Sequence, residues 1–144
     1  MLTELGIDEI LPWAASRSVV RWSADRADRA LARWRGVARE AAKQCRRLRI
    51  PVVADPVSTR DLAALVGTVD LALVLHEEAT ESLATIGLPA AGTVLMVIGP
   101  EGGITPDELG TLLSAGAKAA SVSDGVLRTS TAGTVALAGM LLRP

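Results

Sequence analysis

Two uninterrupted apolar runs constrain the fold of this chain more than any other feature: Leu71-Ala72-Leu73-Val74-Leu75 after Asp70, and Val94-Leu95-Met96-Val97-Ile98 after Thr93. A strand with one wet face alternates apolar and polar residues, whereas a strand covered on both faces has no polar side to show. Both runs therefore predict strands of a parallel sheet sandwiched between helices. Further strands are predicted at 7–13, 52–54 and 117–122. Between them lie helical patterns. Ala27, Leu31, Trp34, Val37, Ala38, Ala41 and Cys45 recur at spacings of three and four, which predicts one long helix over 24–49 with a single buried stripe, stopped by Pro51. Ser58 with Asp61 caps a helix over 59–66. Thr105-Pro106-Asp107-Glu108 carries a cap, a proline in the first turn and acids at the positive end of a helix that closes near Ala115-Gly116. A small-residue helix is predicted over 130–142, with Thr129 or Ser130 as its cap. The opening Met1-Leu2-Thr3-Glu4-Leu5-Gly6 reads as a last helical turn closed by glycine. Strands and helices alternate, so the class is α/β, a mainly parallel sheet flanked by helices, in one domain over 1–144.

With 49% hydrophobic and 22% charged residues in 144, the chain has the composition of a globular domain able to bury one core. Three Trp stand with no Phe and no Tyr, so the core is built from aliphatic side chains. Few platforms remain for stacking bases, and any nucleic-acid binding must use charge and shape. A net charge of −1 excludes a uniformly basic coat and allows a local basic face. Cys45 and His76 are the only residues of their kinds, which precludes an internal disulfide and a zinc set, so no metal is expected. No apolar run approaches the roughly 18 residues of a membrane span, and no signal-peptide pattern opens the chain. A cytoplasmic protein away from membranes is expected.

Ligands of open α/β sheets bind beyond the carboxyl ends of the strands. Three predicted loops leave those ends, at 76–79, 99–104 and 123–129. Gly99, Gly102 and Gly103 are expected to let the backbone approach a ligand, next to a helix N-terminus with free N–H groups. The Lys-Ser/Thr of a Walker loop and the G-x-G-x-x-G fingerprint are both missing, and Glu101 would repel a phosphate. An uncharged or cationic ligand suits this loop better, although a tight turn that holds nothing has the same sequence. Ser123-Asp124-Gly125-Val126-Leu127-Arg128-Thr129 offers backbone groups for an adenine edge, or simply a turn and a cap. Arg39, Lys43, Arg46, Arg47 and Arg49 gather at the end of the long helix. They suit RNA phosphates or an oxyanion, and equally a solvated helix C-terminus. His76 is a base or plain polar surface. No G-x-S-x-G elbow is present.

Val97-Ile98-Gly99-Pro100-Glu101-Gly102-Gly103-Ile104, followed by Leu127-Arg128-Thr129-Ser130-Thr131-Ala132, resembles the RsmE family, bacterial 16S ribosomal RNA uracil-N3 methyltransferases of the SPOUT class. Thr3-Glu4-Leu5-Gly6-Ile7-Asp8-Glu9-Ile10, Ser16-Arg17-Ser18, Arg33-Trp34, Gln44-Cys45-Arg46-Arg47 and Ile50-Pro51 fit the same pattern, so the resemblance spans essentially the whole chain. It implies a deep trefoil knot made by the C-terminal segment and a homodimer with each site near the interface. It implies S-adenosylmethionine lying against Leu75, His76, Glu77, Gly99, Pro100, Glu101, Gly102, Gly103 and Val122 through Leu127, with Thr129 and Ala132 nearby. The partner it implies is 16S rRNA or the small ribosomal subunit.

Within that resemblance Arg47 is the first candidate to stabilise charge on the uracil carbonyl oxygens, and Arg128 the second. Glu101 would accept a hydrogen bond or help hold the sulfonium. Arg17, Arg39, Lys43, Arg46, Arg47 and Arg49 would contact RNA. Two departures stand out. Ser130 occupies the place of the family's usual Glu, and the chain begins where an N-terminal PUA-like RNA-binding barrel is expected to end, which implies weak RNA affinity. A related SPOUT enzyme on another RNA, a non-catalytic dimeric module that binds S-adenosylmethionine, and a small-molecule enzyme with a phosphorylated ligand are the competing readings.

Overall fold

The computed structural model describes residues 1–19 and 24–143. In chain order the elements are α1 (Leu2–Leu5), β1 (Glu9–Ile10), α2 (Ala24–Gln44), β2 (Val52–Val53), α3 (Thr59–Val66), β3 (Leu71–Leu75), β4 (Val94–Ile98), α4 (Pro106–Ser114), β5 (Lys118–Ala120) and α5 (Thr129–Leu141). β3 lies between β4 and β5 in a sheet whose strands are all parallel, with Leu75 level with Ile98 on one side and Ala120 on the other. A second parallel pair, β1 with β2, is prolonged by a bridge between Trp13 and Val57. The expected α/β class with parallel strands and flanking helices is what the chain adopts.

The unbroken apolar character of β3 follows from its position. Leu73 and Leu75 pack with Leu83, Ile86, Ala120, Ala132 and Ala136 beneath α5. Ala72 and Val74 pack with Leu62, Val66, Val97, Ile104 and Leu112 beneath α3 and α4. Adjacent residues Leu73 and Val74 are both 0% exposed, which only a strand with two covered faces allows. β4 departs from this expectation. It is an edge strand, and of its five residues only Val97 is buried.

Local signals set the ends of α3 and α4. Ser58 and Asp61 form a reciprocal capping box, and Thr105 and Glu108 form another, with Pro106 in the first turn of α4. At α5 the expected cap is wrong: Arg128 occupies the N-cap without a side-chain bond, and Thr129 lies inside the helix. α2 also ends earlier than expected, at Gln44. Arg46 adopts φ +56, a left-handed conformation that breaks helical periodicity, so Arg46, Arg47 and Arg49 do not continue the face of Arg39 and Lys43. The buried line of α2 runs through Leu31, Ala38 and Ala42, the first two packing toward Ile10 and Val53. Trp34 and Val37, expected in that stripe, remain on the exposed side. The Arg35 guanidinium donates twice to the Val53 carbonyl, at 3.2 and 3.1 Å, and fastens α2 to β2. No helix among the described residues is long and apolar enough to cross a membrane.

Leu112 is fully buried and Val37 is 63% exposed. In urea unfolding, Leu112→Ala is expected to cost about 2–5 kcal/mol, and Val37→Ala under about 0.5 kcal/mol. Equal losses would contradict this placement of the core.

Candidate functional site

Because β3, β4 and β5 are parallel and end level, the loops that follow them open on one side of the sheet. After β3, the His76 amide donates to the Ala120 carbonyl at 3.0 Å. The His76 Nδ1 accepts from the Glu78 amide at 3.2 Å, which places the ring proton of the neutral imidazole on Nε2. Glu77 beside it is exposed. After β5, the Ser123 hydroxyl donates to the Gly125 carbonyl at 2.6 Å and tightens a turn before half-buried Leu127.

The loop after β4 turns through a bond from the Gly103 amide to the Pro100 carbonyl at 2.8 Å, with Gly103 at φ +76. Two of its glycines also meet needs of the protein itself. A Cβ on Gly99 would come within 2.7 Å of the Ile104 Cγ1, and one on Gly102 within 2.9 Å of both the Cβ and the carbonyl oxygen of Arg17. The Thr129 hydroxyl donates to the Gly99 carbonyl at 2.9 Å and latches the first turn of α5 to this loop, while Ala132 is buried under that turn. Among the described residues, no hydrogen bond takes up the amides of Glu101, Gly102, Val126 or Leu127.

One residue escaped the sequence reading as more than a helix cap. Glu108 is 5% exposed, and its Oε2 accepts from the Thr105 amide and hydroxyl at 3.1 and 2.8 Å. Its Oε1 accepts from the Ser16 amide at 2.8 Å, the Ser16 hydroxyl at 3.0 Å and the Thr59 hydroxyl at 3.3 Å. Burial by itself pushes this carboxyl up, but the donors from Ser16 and Thr105 outweigh it and hold the group below 4.5. The N3 position in a capping box was the only local signal. The Ser16 partner lies 92 residues away. The bonds seat Ser16 so that Arg17 falls against the glycine loop, with its Nη1 donating to the Gly102 carbonyl at 3.3 Å.

The basic residues divide. Arg47 turns back, donating from Nε and Nη2 to the Glu4 carbonyl at 3.0 and 2.9 Å, its guanidinium lying over Gly6. Lys43 pairs with Glu40 at 3.0 Å in solvent. Arg39, Arg46 and Arg49 are exposed, and among the described residues no hydrogen bond or ion pair joins them to the three loops. Arg128 and Glu101 are exposed at the head of α5 and in the β4 loop. The geometry thus gathers Leu75, His76, Glu77, residues 99–103, Val122, Leu127, Thr129 and Ala132 at one end of the sheet and adds Arg17 to them. Ser130 sits in the first turn of α5 with its side chain exposed.

The RNA methyltransferase domain family matches residues 1–141 of this chain. The chain belongs to that family. This RNA methyltransferase domain is 48% identical over 141 residues to a Ribosomal RNA small subunit methyltransferase E of Mycobacterium bovis, covering 95% of the chain and 54% of the relative. To the protein of the same name in Bacillus subtilis it is 33% identical over 145 residues, covering 96% and 57%. The domain thus spans about half the length of the curated relatives it matches. Among solved structures, a Legionella pneumophila protein in complex with the bound cofactor SAM superposes with TM-score 0.89 at 28% identity, covering 95% of this chain and 56% of that one. A Ribosomal RNA small subunit methyltransferase E from Neisseria gonorrhoeae, bound to S-adenosyl methionine, gives 0.83 at 29% identity, covering 96% and 56%. The resemblance to the RsmE family is borne out.

Since the folded-state pKa of Glu108 lies below its ordinary value of 4.5, the stability it contributes is present above that value and is lost as pH falls through the folded one. At neutral pH, Glu108→Gln is expected to cost about 1–3 kcal/mol in urea unfolding, because an amide cannot accept all five donors. The gap between wild type and variant should narrow on acidification below 4.5. A gap independent of pH would contradict a charged Glu108.

Proposed function

We propose that this domain binds S-adenosylmethionine beyond the carboxyl ends of β3, β4 and β5 and serves to methylate N3 of a uridine in 16S ribosomal RNA. The observation that carries the proposal is the level ending of three parallel strands, with the glycine loop after the edge strand latched to α5 by Thr129. Two relatives that hold the same cofactor superpose on nearly the whole chain.

The residues present fit the cofactor. The loop over 99–103 contains no Lys or Arg and bears an exposed carboxylate on Glu101, a poor cradle for phosphate and a suitable neighbour for a cation. The amides of Glu101, Gly102, Val126 and Leu127, which have no partner among the described residues, suit the polar edges of an adenosine, and Leu75 and Leu127 offer apolar flanks for its ring. When bound, S-adenosylmethionine supplies a methyl group already activated on a positive sulfur. The protein's part is alignment and charge control. In the transfer the N3–C bond would form as the C–S bond breaks, S-adenosylhomocysteine would leave and the N3 proton would pass to water, and a guanidinium would stabilise the charge that grows on the flanking carbonyl oxygens. The geometry favours Arg128 over Arg47 for this role. Among the described residues no hydrogen bond or ion pair holds the Arg128 side chain, which stands next to Thr129, whereas two N–H groups of Arg47 are committed to the Glu4 carbonyl.

The proposal extends to the RNA and to a second copy of the chain. Arg17, Arg39, Lys43, Arg46 and Arg49 supply cations for RNA phosphates. α5 carries no charged residue and its apolar residues are not confined to one face, yet Val135, Leu141 and Leu142 at its C-cap are exposed. A helix of that kind ordinarily buries every face, which supports a homodimer formed through its outer side. Two fastenings of α5, Thr129 to the Gly99 carbonyl and Arg143 to the Leu83 carbonyl at 3.1 Å, are in keeping with a C-terminal segment threaded as a deep trefoil knot. The domain's place of action would be the cytoplasm.

Calorimetry should give one S-adenosylmethionine per chain, and small-subunit RNA treated with protein and cofactor should gain one methyluridine by mass spectrometry. Arg128→Ala should lower the transfer rate about 10²–10³-fold with little change in cofactor affinity. Binding without transfer would favour a non-catalytic module, and no binding would remove the proposal.

A further inference from the structure

We propose that Glu108 is a positioning residue for the cofactor loop: by holding Ser16 it sets Arg17 against Gly102 and so fixes the shape of residues 99–103. The inference rests on the cofactor reading of that loop and deepens it. Capping α4 occupies only one oxygen of the carboxylate, since the Thr105 amide and hydroxyl both reach Oε2. Oε1 faces away from the cap, toward three donors on Ser16 and Thr59. That half of the group does nothing for its own helix. Its effect is to fix a backbone point 92 residues away in sequence.

The next residue turns that point into control of the loop. The Arg17 Cβ and carbonyl oxygen occupy the space where a Gly102 side chain would stand, and the Arg17 Nη1 meets the Gly102 carbonyl at 3.3 Å. At the other end of the loop the Thr129 hydroxyl holds the Gly99 carbonyl at 2.9 Å. The free amides of Glu101 and Gly102 lie between these two clamps. A loop held at both ends loses little conformational entropy on binding, and release of either clamp would make a ligand order it. Since the Arg17 bond lies in solvent, its strength depends on how firmly Ser16 is seated.

The test compares Glu108→Gln, Arg17→Ala and the double variant at neutral pH, with Asp70→Ala as a control that removes a bond to the Thr93 amide at the start of β3 and β4, the opposite end of the sheet. In ligand-free protein, exchange of the Gly103 amide, which is bonded to the Pro100 carbonyl, should accelerate in all three site variants and stay at the wild-type rate in Asp70→Ala. S-adenosylmethionine Kd should rise about 3–30-fold in either single variant, and the double variant should be no weaker than the worse single one. Unchanged exchange and Kd despite lowered stability would reduce Glu108 to a helix cap and overturn the proposal, as would single effects that multiply in the double variant. If Glu108→Gln does not fold, Ser16→Ala, which removes one donor to Oε1, takes its place. Failure of the wild type to bind cofactor would defeat the functional reading, and the exchange arm would still decide the positioning claim.

Discussion

The buried carboxylate of Glu108 joins the segment at Ser16 to the heads of α3 and α4. Five donors from Ser16, Thr59 and Thr105 converge on its two oxygens, and the Trp13 indole N–H extends the network through the Thr59 hydroxyl at 3.2 Å. Hydrogen bonds to a charged group are worth roughly 1.5–3 kcal/mol each, and the larger effect is asymmetric, since each donor left without a partner in a buried site costs about as much again. The first strand region, the head of α3 and the head of α4 therefore share one electrostatic centre. The glycine loop grows directly from that centre, which is why its shape is a property of the tertiary structure and not of its five residues.

β3 provides the frame. Being covered on both faces and paired on both edges, it fixes the level at which β4 and β5 end, and with it the place where the three loops meet. α5 closes one face so tightly that a Cβ on Gly133 would fall 2.5 Å from the Ile98 Cδ1 and require that side-chain tip to shift. The same helix delivers Thr129 to the Gly99 carbonyl. Sheet, cover and loop are thus set by neighbouring contacts along a single helix, so any tilt of α5 would be felt at the proposed cofactor loop.

What could be read from the sequence follows the range of the interactions involved. The apolar run of β3 and the capping boxes of α3 and α4 are local, and they appear where their residues predict. The exposure of β4 depends on which strand sits at the edge, and the end of α2 depends on a left-handed Arg46. Neither is written in periodicity. Gly99 and Gly102 stood out in the sequence, but the neighbours that crowd a side chain there could not be read from it: they belong to Ile104 and to an Arg17 that is 85 residues from Gly102. Arg47, picked for its charge, is turned toward a carbonyl of α1 by contacts across 43 residues. The cluster of loop residues was foreseen through the two motifs, whereas Glu108, concealed inside a capping box, was not.

The separation between Ser16 and Glu108 also has a meaning in time. A chain emerging from the ribosome at about 5–20 residues per second presents Ser16 long before its partner exists, and a gap of 92 residues corresponds to roughly 5–18 s. Throughout that interval the serine has only water to bond with, and the neighbouring arginine has no glycine turn to rest on. The end of the sheet that is proposed to hold the nucleoside is therefore among the last parts to mature during synthesis, and a nascent domain halted before α4 would carry strands and helices but no finished binding surface.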